Sequence, residues 1–223
     1  DLSNRVTRIY TEGFVPRGTA HTSKGVWQTG ASKGVEMTQF SRRYVRSMLH
    51  FEAVVRRVPM STWGNQTCCS EWTAREVVGH TLKVMTFTEA ACGIEGTVPE
   101  GTFDEIAGDD PALATGTVVN RVWEALQAPG VLEHHGPTII GEMTVDDFLG
   151  AMWIDPMTHS WDLADSAGID HGISDDEANA LYVEALEAIE AFRRPGGYAD
   201  AVEGSNDPVG RLMAFLGRTS IRS

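Results

Sequence analysis

Three polar side chains occur at positions where a helix would turn them toward the protein core. His80 lies three residues after Val77 and four before Val84, so a helix places its ring along an apolar stripe. Asp155 and His159 are four residues apart, which puts both on one face of another helix. Burying a carboxylate without compensation is costly, and a cation shared with two imidazoles is one form of compensation.

These three side chains are a candidate set of metal ligands. His80, Asp155 and His159 offer two imidazole nitrogens and one carboxylate oxygen, and they leave a coordination position open for water or substrate, as catalytic divalent metals require. Such ligands favour Zn²⁺ and also accept nickel, iron or manganese. A metal-bound water or thiol becomes acidic and nucleophilic near neutral pH.

A purely structural interpretation of the same residues stays open. An aspartate and a histidine four residues apart often share only a local hydrogen bond, and a helical histidine is often a satisfied core residue. The adjacent pair His134-His135 sits on a segment expected to be extended, where neighbouring side chains point to opposite sides, so at most one could reach a metal. A surface position is favoured for both. Asp162 is expected either to orient the imidazole of His159 or to bind nearby backbone groups.

The sequence alone favours structural roles for the arginines and cysteines considered as site residues. Arg211 and Arg218 could hold a substrate carboxylate, but surface ion pairs are the favoured interpretation in an acidic protein. The three cysteines, Cys68, Cys69 and Cys92, are odd in number and lack C-x-x-C spacing, which argues against a disulfide framework or a cysteine zinc site. Cys69 precedes a helix N-terminus, where the helix dipole favours a thiolate, yet packing is favoured because cysteine is so often buried.

The hydrophobic periodicity predicts an all-α protein with four main helices, an accessory helix and long connecting loops. No alternation of strands and helices is present. Residues 93–115 are expected to form a long loop, and residues 131–143 a short extended excursion. The helices are expected from Met37 to Pro59, from the Thr73/Glu76 capping box to Gly93, from Val118 to Pro129, from Thr144 to Gly168 with a kink at Pro156, and from Ser174 to Pro195.

The composition excludes several classes of partner. The chain has 31 Asp+Glu against 18 Lys+Arg and a formal net charge of −13, which argues against nucleic acid and against an anionic membrane surface. Residues 1–36 hold five basic and three acidic residues and are rich in Gly, Ser and Thr, so they are expected to be a flexible extension before a domain over residues 37–223. No apolar run is long enough to span a membrane or to form a signal peptide, and a cytoplasmic protein is expected.

Two segments of the chain carry a family resemblance. The segment CCSEWTAREVVGHTL, followed about 75 residues later by DPMTHSWDLADSAG, resembles the DinB-like, mycothiol-dependent maleylpyruvate isomerase family of actinobacterial metal-binding proteins. The similarity runs from Phe40 to Arg218 and includes Trp72 and the closing RLMAFLGR. It implies a DinB-like four-helix bundle over residues 37–223, with a divalent metal held by the matched residues His80, Asp155 and His159.

The resemblance also implies a chemistry. Relatives use the metal to activate mycothiol or a similar small thiol for isomerisation or S-transfer on a small electrophile, so such an enzyme, monomeric or homodimeric, is the first expectation. Two departures bear on the substrate: the acidic ligand is Asp155 where the isomerase has Glu, and the C-terminal domain that supplies its substrate contacts is expected to be absent. A non-catalytic metal-binding or regulatory bundle is the alternative.

Overall fold

The computed structural model describes residues 35–193, 198–204 and 206–222, and this part of the chain is mainly helical. The expected flexible extension, residues 1–36, therefore falls almost wholly outside the described residues. The elements in chain order are α1 (Gln39–Val55), a 3-10 turn (Met60–Thr62), α2 (Ala74–Ala91), α3 (Phe103–Ala107), α4 (Pro111–Ala125), β1 (His135–Thr138), β2 (Gly141–Thr144), α5 (Val145–Met152), α6 (Ile154–Ala167), α7 (Asp175–Ala188), a 3-10 turn (Ile189–Phe192) and α8 (Pro208–Phe215).

Side-chain caps set the starts of the described helices other than α6, because the first backbone N–H groups of a helix have no partner within it. The predicted capping box of α2 is present: the Thr73 hydroxyl accepts from the backbone N–H of Glu76, and the Glu76 side chain accepts from the backbone N–H of Thr73. Ser174 caps α7 by accepting from the N–H of Glu177. The predicted end of that last helix at Pro195 lies outside the described residues.

Two helices carry the candidate ligands, and their packing brings the ligands together. Helix α2 packs against α3, α4 and α6, and α1 packs against α4, α5 and α6. Their apolar faces share one core, and the predicted stripe of α1 is buried throughout (Tyr44, Met48, Phe51, Val55 and Val58). Helix α7 packs mainly against α8.

The prediction of a long loop over residues 93–115 is wrong for the second half of that stretch. Helix α3 occupies Phe103–Ala107 and α4 already starts at Pro111. Both starts are encoded locally: Thr102 forms a capping box with Glu105, and Asp110 caps a helix whose first residue is proline. Gly, Pro and Asp are common both at helix ends and in loops, and here they belong to helix ends. The extended excursion is confirmed as an antiparallel hairpin of β1 and β2.

The helix expected from Thr144 to Gly168 is two helices. Helix α5 ends at Met152 and α6 begins at Ile154, with Trp153 between them. A proline has no N–H, and its ring collides with the carbonyl four residues earlier, which for Pro156 is that of Met152. The break therefore lies one turn before the proline, and Pro156 stands in the first turn of α6, where a missing N–H costs nothing.

None of the described helices is long and apolar enough to cross a bilayer.

Replacing Gly79 with alanine tests the close approach of α2 and α3. Helix propensity alone favours alanine by about 1 kcal/mol. A Cβ at residue 79, however, would lie 1.8 Å from the carbonyl oxygen of Phe103, so the backbone of α3 must move. We expect Gly79→Ala to lower the free energy of unfolding by about 1–3 kcal/mol, the usual cost of overpacking. Urea unfolding followed by circular dichroism measures this change.

Gly116 in α4 provides the matched control. A Cβ there would lie 3.0 Å from Nη2 of Arg56, the far end of a flexible side chain that can give way. Gly116→Ala is therefore expected to leave stability unchanged or to raise it by up to about 1 kcal/mol. Equal stabilities of the two variants would contradict the tight contact between α2 and α3.

Candidate metal centre

The structure brings His80, Asp155 and His159 together where α2 packs against α6. Nε2 of His80 lies 3.2 Å from Oδ1 of Asp155, and Nε2 of His159 lies 3.5 Å from the same oxygen. One potential ligand atom from each residue lies within 4.8 Å of the other two. Asp155 stands in the first turn of α6 and His159 one turn later, so the four-residue spacing places both toward His80.

The carboxylate of Asp155 has an unsatisfied oxygen. Its Oδ2 is buried and has no hydrogen-bond partner among the described residues. Burial would raise the pKa of Asp155, but the charges of His159 and His80 hold it well below its usual range. Burial would likewise lower the pKa of His159, yet Asp155 raises it well above its usual value. An anionic oxygen without a donor beside two imidazoles is the chemistry that a divalent cation satisfies, so the donor set fits a metal.

Asp162 fixes the orientation of one imidazole. Its Oδ2 lies 2.8 Å from Nδ1 of His159, so of the two roles expected for Asp162 the structure has the first. The carboxylate accepts a hydrogen bond from Nδ1–H, so Nε2 is the ring nitrogen that faces Asp155 and that would give its lone pair to a metal in place of a proton. Carboxylate–histidine pairs of this kind set the tautomer and direction of metal-binding histidines.

Arg218 is not the surface ion pair that the sequence favoured. Its Nε lies 3.3 Å from Oδ1 of Asp162 and its Nη2 lies 3.4 Å from Oδ2, and only 11% of its side chain is exposed. Burial would raise the pKa of Asp162, but the Arg218 guanidinium and the hydrogen bond with His159 hold it well below its usual range. Arg211, in contrast, lies away from this site: it donates to Asn179 and stacks over Tyr182.

Aromatic rings surround His80. Trp72 stacks on His80 with ring centroids 4.4 Å apart, and the Phe103 ring lies nearly perpendicular to both, with its centroid 5.4 Å from that of Trp72 and 5.3 Å from that of His80. The capped turn before α2 positions Trp72, and α3, a short helix that the sequence interpretation missed, positions Phe103. These rings pack against the imidazole of His80 and restrict its orientation.

A cavity of about 420 Å³ opens beside the donor set, and Trp72 forms part of its wall. Its lining includes all three candidate ligands and groups that a small substrate could contact, among them Cys68, Cys69, Met152, Tyr198 and Arg218. A larger cavity of about 580 Å³ lies beside α1 and α7, but none of the three candidate ligands lines it. The smaller cavity is therefore the candidate substrate site, because the three candidate ligands line it.

Two cysteines complete the wall of this cavity, and the sequence interpretation assigned them only to packing. The Cys68 thiol donates to Oδ1 of Asp162 at 3.0 Å, and the Cys69 thiol donates to Oδ2 at 3.4 Å. The hydrogen bond with Cys68 lowers the pKa of Cys69 to about 6, against the opposing effect of burial. Two adjacent cysteines in front of a capped helix are the sequence feature that could have indicated a functional role. Their partner Asp162 is more than ninety residues away in the chain, so the sequence alone does not show the contact.

The two histidines weighed as a further ligand do not reach the site. His134 and His135 are both exposed, and neither lines the 420 Å³ cavity. His135 Nδ1 lies 3.8 Å from the carboxylate of Glu142 on the neighbouring strand. The surface position favoured for this pair is confirmed.

Comparison with known proteins identifies relatives of this chain. It is 32% identical over 180 residues to the uncharacterized protein Rv0738 of Mycobacterium tuberculosis strain H37Rv, and the match covers 76% of this chain and 92% of that protein. The uncharacterized protein MT0763 of strain CDC 1551 matches with the same identity and coverage. No family model matches the chain, and no solved structure matches it.

A helical protein with a converging His, Asp and His set is thus the class that the fold and site define. The chain belongs to the family of these two mycobacterial proteins.

The ion pair of Arg218 with Asp162 predicts a large loss of stability when the arginine is truncated. Asp162 is fully buried, so Arg218→Ala leaves its negative charge without its main counter-charge. We expect the free energy of unfolding of the metal-free protein to fall by about 3–5 kcal/mol, the usual cost of breaking a buried pair. Urea unfolding in the presence of a chelator measures it.

Arg46→Ala is the control for this prediction. Arg46 pairs with Glu177 at 2.8 Å, but 54% of its side chain is exposed, against 11% for Arg218. Truncating the exposed arginine of an ion pair at the surface costs about 0–1 kcal/mol. If both variants lose the same stability, the Arg218–Asp162 pair is not the buried interaction described here.

Proposed function

We propose that this protein binds one divalent metal ion, with Zn²⁺ favoured, through His80, Asp155 and His159, and uses it as an enzyme. The observation that carries the proposal is the Asp155 carboxylate: two imidazoles approach its Oδ1, while its buried Oδ2 has no hydrogen-bond partner among the described residues. Three nitrogen and oxygen ligands with further coordination positions open to a cavity are typical of catalytic rather than structural sites. Nickel, iron and manganese are accepted by the same donor chemistry.

The proposal extends to the architecture. Helices α1, α2, α4 and α6 would be the four main helices of a DinB-like bundle, with the remaining helices as accessories. Contacts of α1 with α6 and α4, and of α2 with the same two helices, support this arrangement, since each helix then has two neighbours in a closed ring. The mycobacterial relatives are consistent with an actinobacterial family.

The reaction we propose is the attack of an activated thiol, such as mycothiol, or of water on a small electrophile, leading to isomerisation or transfer. A bound divalent metal supplies the acidification of that thiol or water. The chain's own residues do the rest. Asp162 keeps Nε2 of His159 directed at the site, and Trp72 stacks on His80 and fixes its ring. The cavity that these residues line would admit the electrophile.

Metal stoichiometry tests the binding proposal. We expect the purified chain, loaded with Zn²⁺ and desalted, to retain one equivalent by mass spectrometry of the metal, and His80→Ala and His159→Ala to retain almost none. His171→Ala is the matched control, because His171 is outside the cavity lining and accepts a backbone hydrogen bond from Ile173. Asp162→Asn should weaken affinity by about 10- to 100-fold.

A parent protein that retains only a small fraction of an equivalent under these conditions would refute the metal proposal. Equal retention by the parent and the His80 and His159 variants would refute the assignment of the ligands.

An activity assay separates an enzyme from a metal-binding protein without catalysis. We expect the Zn²⁺-loaded protein to accelerate consumption of mycothiol, or of another small thiol, by at least one member of a panel of small electrophiles. The His159→Ala protein and the chelator-treated protein serve as controls. Rates equal to those of the controls for all electrophiles would favour the non-catalytic alternative. The size and polarity of the 420 Å³ cavity are the features that favour an enzyme.

A further inference from the structure

Cys68 and Cys69 form a dithiol that shares a wall with the proposed metal centre. Their sulfur atoms and a carboxylate oxygen of Asp162 all lie within 4.8 Å of one another. Both side chains are partly exposed, and both line the 420 Å³ cavity. Two thiols that face one cavity and lie within reach of each other can react with the same small molecule. The metal proposal leaves both of them without a role.

We propose that the Cys68–Cys69 pair is a thiol–disulfide exchange site that takes a low-molecular-weight disulfide from the cavity and closes to a vicinal disulfide. A cavity of this size holds a small disulfide next to both sulfur atoms. Consecutive Cα atoms are about 3.8 Å apart, which is shorter than the usual separation across a disulfide. The closed ring is therefore strained and easily reduced, as expected of a reversible rather than a structural disulfide.

The exchange needs only the dithiol and the incoming disulfide, RSSR. The sulfur of Cys69, whose contact with Asp162 is the longer of the two, attacks one sulfur of RSSR. A bond forms between Cys69 and that sulfur, the RS–SR bond breaks, and one RSH leaves with the proton of Cys69. Cys68 then attacks the Cys69 sulfur, forming the vicinal disulfide and releasing the second RSH with the proton of Cys68. The protein is oxidised by two electrons and RSSR is reduced by two.

Closing the disulfide would also alter the metal centre, a step that rests on the proposed function. Both thiols donate hydrogen bonds to Asp162, one to each oxygen. Oxidation removes both donors, while Asp162 still has to hold Nδ1 of His159. The carboxylate that orients a metal ligand then loses part of its support, and affinity for the metal falls. The dithiol thus links the redox state of small thiols to the occupancy of the site.

Peptide mapping of the full-length, metal-free chain tests the exchange. The chain is incubated with bis(2-hydroxyethyl) disulfide, and free thiols are then blocked. Trypsin places Cys68 and Cys69 together in the peptide of residues 58–75 and Cys92 in a different peptide, residues 84–121. We expect the first peptide to lose two hydrogen atoms and carry no adduct. Cys68→Ser should stop at a mixed disulfide on Cys69, and Cys92→Ser should behave as the parent.

Three outcomes would overturn the exchange proposal. They are stable mixed disulfides on the parent pair, a disulfide-linked dimer through these residues, and no reaction at the pair under conditions in which Cys92 is modified. None of these results depends on a metal, so failure here is separable from failure of the proposed function.

The affinity for Zn²⁺ tests the link to the metal. We expect the dissociation constant of the oxidised parent to rise on the order of tenfold, the lower end of what changes around metal ligands cost. A reducing agent should restore it, and the Cys68→Ser/Cys69→Ser double variant should not respond to the disulfide. Equal affinities of the oxidised and reduced parent would overturn the link, whereas a parent that binds no Zn²⁺ in either state would refute the metal proposal itself.

Discussion

The fully buried carboxylate of Asp162 is the interaction on which the arrangement of the site depends. A buried carboxylate is stable only if donors satisfy it, and here they come from three separate parts of the chain. The turn before α2 supplies two thiols, α6 supplies the imidazole of His159, and the segment after α8 supplies the guanidinium of Arg218. Satisfying one acid thus fixes the position of two other segments, the turn before α2 and the segment after α8, relative to α6.

Asp155 presents the opposite case within the same helix. It stands seven residues before Asp162, about two turns away, and one of its oxygens is buried with no hydrogen-bond partner among the described residues. Within this part of the chain His80 and His159 form ion pairs with the carboxylate, and both contact its other oxygen. Both acids are buried, so the number of donors and not burial is what distinguishes Asp155 from Asp162, and it is the reason for proposing a ligand role for Asp155.

The sequence predicts the helices and the ligand set better than it predicts what surrounds them. Periodicity and capping residues encode α1, α2 and α7 locally, and the four-residue spacing of Asp155 and His159 places both on one face of α6. The spacing makes His80 a candidate partner of this pair, but their convergence depends on how α2 packs against α6, so the family resemblance was needed to favour the metal site over a structural interpretation. Arg218 and Cys68 were assigned to surface pairing and packing for the same reason, since their common partner is distant in the chain.

The rings around His80 and the dithiol share the wall of one cavity. Gly79 allows the carbonyl of Phe103 to approach α2 so closely that a side chain at residue 79 would collide with it, and the Phe103 ring then lies nearly perpendicular to the rings of Trp72 and His80. Trp72 and His80 both line the 420 Å³ cavity, together with Cys69. A small molecule in this cavity would therefore meet the candidate metal ligands and the dithiol at the same time.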